Sequence, residues 1–282
     1  MLNKYMLAAS LLVVCGQTAA ATEQPLIASP IDQWKLSYDQ DSCSLTRHFR
    51  FDEDTFALEM TRYTQFDSYD TKIFASALER RKRSPVTAFA SPETEREHEY
   101  FFNLHGSEWD GIRIFLTPKS IEQDIADPGT TVPLHVRDAF SKDFTLELES
   151  LGEAVAALNN CLDDLVTSWG LDPAKQRALS KRIPNDGRWD DWMIAFLKRT
   201  ESATRNAGST TTRIRFIVDP DGKPESCKLL DVPEDNSAAQ AACDKALKRA
   251  KFEPALDEEG KPASSYILIQ GSRFRTTSTI RM

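Results

Sequence analysis

The sequence predicts an α+β protein: a β-rich unit closed by one helix, then a smaller unit running strand, strand, helix, strand. Three observations predict it. Apolar residues alternate with polar ones in short runs from Trp34 onward, the period of strands with one buried face. One long stripe with helical spacing follows at 151–169. Alternation then resumes at 212, gives way to a short alanine-rich helical stretch and returns near 266. At 282 residues the chain is long enough for two modest cores. The expected division is 1–21 signal peptide, 22–33 mature tail, 34–170 β-rich domain, 171–205 linker with a short helix, and 206–282 terminal domain.

In the first unit, Trp34, Leu36 and Tyr38 alternate with polar residues, as do Cys43, Leu45, Arg47 and Phe49, and then Phe56, Leu58 and Met60. The segments 39–42 and 52–54 read as turns between them, and further strands are expected at 100–104, 112–116 and 144–148. Residues 79–97 and 118–133 are charged or proline-bearing and read as loops. Ser150 and Glu153 have the spacing of a capping box. Leu151, Val155, Leu158, Leu162, Leu165 and Trp169 then share one helical face, and Gly170 and Pro173 end the helix. In the linker, Trp189, Trp192, Met193, Phe196 and Leu197 fit a short amphipathic helix.

The amino terminus has the order of a secretory signal: Lys4, an apolar stretch over 6–15, then Ala19-Ala20-Ala21 as a small-x-small cleavage site. Cleavage after Ala21 would leave Thr22 first. A lipoprotein signal needs a small residue before Cys15, where Val14 stands. An uncleaved anchor is the other reading. No other stretch approaches the roughly 20 apolar residues of a membrane span. Loss of Cys15 with the signal leaves Cys43, Cys161, Cys227 and Cys243, an even number that suggests two disulfides with three formal connectivities. Cys161 lies at the edge of the helical stripe, and its expected partner is Cys43, since the other two belong to the later unit. That bridge would close a loop of more than 100 residues, worth about 4–5 kcal/mol in chain entropy.

In the terminal unit Ile214, Phe216 and Val218 point inward, and Asp219-Pro220-Asp221-Gly222 is a hairpin turn. A second strand runs over 225–232. Ser237 with Gln240 is expected to cap a helix whose Ala239, Cys243, Ala246, Leu247 and Ala250 share a face. Phe252-Glu253-Pro254-Ala255, a turn over 257–261 and a last strand over 266–274 complete it. This ordered set, across about 213–274, resembles the carboxy-terminal domain of the TonB energy transducers. The Phe-x-Pro-Ala element between helix and last strand is its most distinctive part. The resemblance implies that Cys227, on the second strand, bonds Cys243, on the helix above it. It also implies docking by strand addition at an edge, with the last strand (Tyr266, Ile267, Leu268, Ile269 and Gln270) as the candidate; a strand in the interior of the sheet is the other reading of that segment. Of the Ile267 and Ile269 amides, one is expected to point outward. Transducers carry an uncleaved membrane anchor with a functional histidine and a long proline-rich spacer, where a signal peptide and a folded domain are expected here. Their Gln-Pro and Tyr-Pro elements have no counterpart before Thr212.

Residue patterns that carry chemistry are sparse in this sequence. A formal charge of −8 argues against nucleic acid as a partner. The basic run Arg80-Arg81-Lys82-Arg83 allows at most peripheral lipid contact. The sequence has no G-x-S-x-G elbow, H-E-x-x-H helix or phosphate loop, and its cysteines lack zinc spacing. His48, His98, His105 and His135 are scattered, with His98, His105 and Ser107 the nearest approach to a hydrolytic set. Asp163-Asp164 and Asp190-Asp191 are adjacent on helices and diverge. The 219–222 turn lacks the closing glutamate of a calcium loop, since Leu230 stands there. No cofactor or metal is expected. The sequence therefore suggests a non-catalytic periplasmic protein that binds extended segments of envelope or outer-membrane proteins. The alternatives are a transducer anchored in the inner membrane by an uncleaved amino terminus, and an enzyme with its site in the first domain.

Overall fold

The computed structural model describes residues 26–65, 68–79, 81, 86–90, 97–98, 110–117, 129–184, 196, 211–230, 232 and 235–272. The expected signal segment, the strand expected at 100–104, His105, Ser107 and most of the expected linker helix lie outside these residues.

The chain is α+β. Ten strands form the large sheet of the first unit: β1 (Leu26–Pro30), β2 (Lys35–Tyr38), β3 (Ser42–Phe51), β4 (Asp54–Tyr63), β5 (Tyr69–Ala75), β6 (Val86–Phe89), β7 (Glu97–His98), β8 (Asp110–Leu116), β9 (Val132–Arg137) and β10 (Phe144–Leu148). Their order is β7-β6-β9-β10-β1-β3-β4-β5-β8, with β2 also on β3. Residues 26–30, expected as part of a tail, are the strand that joins the two halves. Leu26, Ile27 and Ala28 pair in parallel with β10, and Ser29 and Pro30 pair antiparallel with β3.

The sheet curls strongly. Phe56 on β4 and Phe144 on β10 are three strand steps apart, about 14 Å in a flat sheet, yet their ring centroids are 4.6 Å apart. Curling turns the inner faces of β3–β5 and β8–β10 onto one core, which includes Leu58, Ile73, Ile114, Leu134 and Leu146. Helix α1 (Leu151–Ser168) packs Leu151, Val155, Leu158 and Leu162 against the same core. Its expected capping box does not form. The turn out of β10 puts Ser150 at φ 53, in the left-handed region, and its side chain makes no cap bond.

Residues 79–97, expected as a loop, carry β6 and the start of β7, which extend the sheet from β9. Strands β5 and β9 also escape the sequence reading, for physical reasons. In β5, Asp70 and Thr71 are buried, so the alternation is broken. In β9, Pro133 breaks a regular in-out pattern of Val132, Leu134 and Val136. It is tolerated because β6 pairs only with residues 135–137 and leaves that side of Pro133 outside the ladder.

Helix α2 (Pro173–Arg177), capped by Asp172, leads to the second unit. There β11 (Thr211–Val218), β12 (Pro224–Leu230) and β15 (Ser265–Ser272) form a sheet in the order β12-β11-β15, and α3 (Ser237–Arg249) lies on one face. β13 (Ala255–Leu256) and β14 (Pro262–Ala263) make a small hairpin before β15. The cap of α3 is Asn236, one residue before the expected Ser237: its Oδ1 accepts the Ala239 amide at 3.0 Å. Gly222, at φ +77, donates to Asp219 O and accepts from the Phe252 amide at 2.8 Å. A Cβ there would overlap the Phe252 carbonyl oxygen. The hairpin turn and the Phe-x-Pro-Ala element, 30 residues apart, thus lock each other.

Both disulfides are present. Cys43 joins Cys161 across 118 residues (Cα–Cα 6.3 Å), and Cys227 joins Cys243 across 16 residues (Cα–Cα 5.3 Å). Bridges of this kind form and persist in oxidising compartments. No helix among the described residues is long and apolar enough to cross a membrane.

Candidate docking edge and the interface that covers it

Among the described residues, the last strand lies at the edge of the terminal sheet. β15 pairs with β11 on one side, in antiparallel register from Thr211–Ser272 to Val218–Ser265, with Arg213 opposite Gln270. Its side chains alternate between two buried faces. Ile267 and Ile269 point toward α3 and join the core of Ile214, Phe216, Cys243 and Ala246. Tyr266 and Leu268 face the first unit and are also buried. The uninterrupted apolar run Tyr266-Ile267-Leu268-Ile269 was the signal of burial on both faces.

The amide directions differ from expectation. The Leu268 N–H donates to Gln65 Oε1, outside the sheet. Residues two apart on a strand send their amides the same way, so Tyr266, Leu268 and Gln270 point outward. Ile267 and Ile269 therefore both point into the ladder with β11, and neither amide is free for a partner strand.

The face of the sheet opposite α3 rests on the first unit. Tyr266 meets the Trp169 ring edge-on, 5.2 Å between centroids, and packs with Val166 and Ile217 in a small separate core. The Tyr266 hydroxyl donates to Thr64 O at 2.7 Å. From β11, the Arg215 guanidinium lies 4.1 Å over Trp169 and donates to Gln40 O at 3.1 Å. Arg213 sits 4.7 Å over the Tyr63 ring and 3.6 Å from Asp41 Oδ1. Asp41 is fully buried and Arg213 nearly so. Close by, Arg113 binds both Asp70 carboxylate oxygens in a forked pair. These charges leave a clear mark on titration. Burial pushes the Tyr63 hydroxyl up to about 12 against the pull of Arg213. Burial lowers the pKa of Arg215, with Asp41 acting the other way. Burial also works to lower Arg113, but the bond to Asp70 prevails and raises it.

Little in the local pattern of residues announces this interface. Arg213 and Arg215 alternate with Ile214 and Phe216, the pattern of a solvated outer face. Only Ile217 breaks it, and Gln65 stands in an unremarkable turn.

The remaining candidates are occupied structurally. His48 Nδ1 and the Asp32 carboxylate are 2.8 Å apart, and the His48 amide donates to the same carboxylate at 2.8 Å. Burial works to raise Asp32, but the His48 amide, the His48 ring and Lys35 outweigh it and lower the pKa from 3.8 to about 2. His135 Nδ1 pairs with Thr145 Oγ1 at 2.8 Å, and His98 lies on β7 opposite Val86. Arg81 of the basic run pairs with Asp138, and Asp163 with Arg177. A cleft of about 610 Å³ lies between α2 and the β13–β14 hairpin. Its Asp172 and Asp257 already accept amides as a cap and a turn. Among the described residues, no group of three or more His, Cys, Asp or Glu side chains is placed to hold a metal.

Comparisons with protein-family models, with curated proteins and with solved structures find no match for this chain.

Proposed function

We propose that this chain is a non-catalytic binding protein of the periplasm or cell envelope, whose terminal domain grips an extended segment of an envelope or outer-membrane protein. The partner strand adds to the outer side of β15 through main-chain hydrogen bonds, and the alternate side chains set specificity. One observation carries the reading: the Leu268 amide leaves the sheet and finds an acceptor, Gln65 Oε1, where a neighbouring strand would place its carbonyl. The terminal unit's strand order, its Phe252–Ala255 lock and its resemblance to TonB carboxy-terminal domains favour the same mode. The two disulfides and the signal-like amino terminus agree with a periplasmic location.

A fluorescent decapeptide of alternating valine and threonine with lysine at each end tests this by anisotropy. The plain peptide is expected to bind at least about tenfold tighter than a copy N-methylated at alternate residues on its pairing edge, because methylation removes the amide donors of the new ladder. Equal binding of the two peptides, or none of either, would remove main-chain pairing as the mode of recognition.

A further inference from the structure

We propose that the turn after β4 is a built-in competitor for this edge: Thr64 and Gln65 hold β15 from outside, and a docking strand must displace the Gln65 side chain before it can pair. The inference rests on the reading of β15 as the docking edge and adds how access to it is controlled.

Two consecutive residues of the turn grip two alternate residues of the strand. Thr64 O accepts from the Tyr266 hydroxyl at 2.7 Å, and Gln65 Oε1 accepts from the Leu268 amide. One contact is made to a side chain on the face of the sheet and the other to the backbone at its edge. A glutamine side chain ends in the same amide carbonyl as the peptide backbone, so Gln65 offers Leu268 the acceptor that a partner strand would offer. The turn is itself anchored. It follows Tyr63, whose ring carries the Arg213 guanidinium, and Arg213 belongs to β11, the strand next to β15. The competitor and the edge are thus fixed to one another through the same interface. Gln65 is half-buried and holds the edge by one hydrogen bond from a flexible side chain. Such a bond can be released without unfolding either unit.

The test uses two variants of the full chain and the same valine–threonine decapeptide. Gln65→Met keeps the length of the side chain and removes the acceptor. Gln65→Glu keeps an acceptor and gives it charge. The expected result is that Gln65→Met binds the peptide about five- to tenfold tighter than the wild type, while Gln65→Glu binds no tighter than the wild type. Thermal melting of all three confirms that they are folded. If all three bind with equal affinity, the competition is refuted, and the N-methylated peptide then decides separately whether main-chain pairing occurs. If Gln65→Glu gains as much as Gln65→Met, the acceptor is not what guards the edge, and the proposal fails. If none of the three binds, docking at β15 fails, and its control with it.

Discussion

Asp32 occupies the break between β1 and β2, where it ties both to β3: its carboxylate takes the His48 amide, the His48 ring and Lys35. Beside it Arg47 bonds the Asp32 and Glu149 carbonyls and lies under the Trp34 ring, whose indole also bonds Glu149 O. A carboxyl held at about 2 in the folded chain, against an ordinary 3.8, binds protons less readily folded than unfolded. Its stabilisation is therefore complete above pH about 4 and is lost as the pH falls toward 2. With the side chain a quarter exposed, about 1–2 kcal/mol is expected after solvent screening. Urea melts of Asp32→Asn and wild type should differ by that amount at pH 6 and converge near pH 2. A gap independent of pH would mean that the charge is not what matters at this position.

At the scale of elements, the legible parts were those with one strong period. Helix α1 and the strands at 42–51 and 54–63 show one regular apolar face, and the order of the terminal unit declares itself through its Asp219–Gly222 turn and its alanine-rich helix. The Cys43–Cys161 pairing followed from the position of Cys161 on the α1 stripe. Where burial is two-sided or a charge lies inside, the pattern fails. β5 hides Asp70 beneath Arg113, β9 carries Pro133, and β1 is too short and proline-flanked to declare itself. The candidate edge was legible as a last strand, whereas its amide directions and the Gln65 contact depend on long-range packing that no local pattern encodes. The bridge from β3 to α1 spans the longest loop of the two. Replacing Cys43 and Cys161 together by Ser should lower stability by about 2–4 kcal/mol, more than the Cys227–Cys243 pair in the same assay, because the closed loop is longer. The reverse order would show that native packing, not chain entropy, sets the contribution of each bridge.

At the scale of the molecule, the two units are joined by a buried charged interface and a small aromatic core. A buried ion pair contributes little beyond what an apolar pair of the same size would, but removing one partner strands the other charge. Arg213→Met and Asp41→Leu should each destabilise the chain by about 3 kcal/mol, and the double substitution should cost clearly less than the sum. Strict additivity in chemical denaturation would mean that Asp41 and Arg213 do not couple the units.

The central claim is that a partner adds to the outer side of β15. Residue-resolved amide hydrogen exchange of the wild-type chain, with and without saturating valine–threonine decapeptide, tests it most directly. The outward amides of Tyr266, Leu268 and Gln270 should slow when the peptide is present. Those of Ile267 and Ile269, already in the ladder with β11, should change little. Slowing confined to β12 or to the first unit, or no slowing on β15 at saturation, would contradict it.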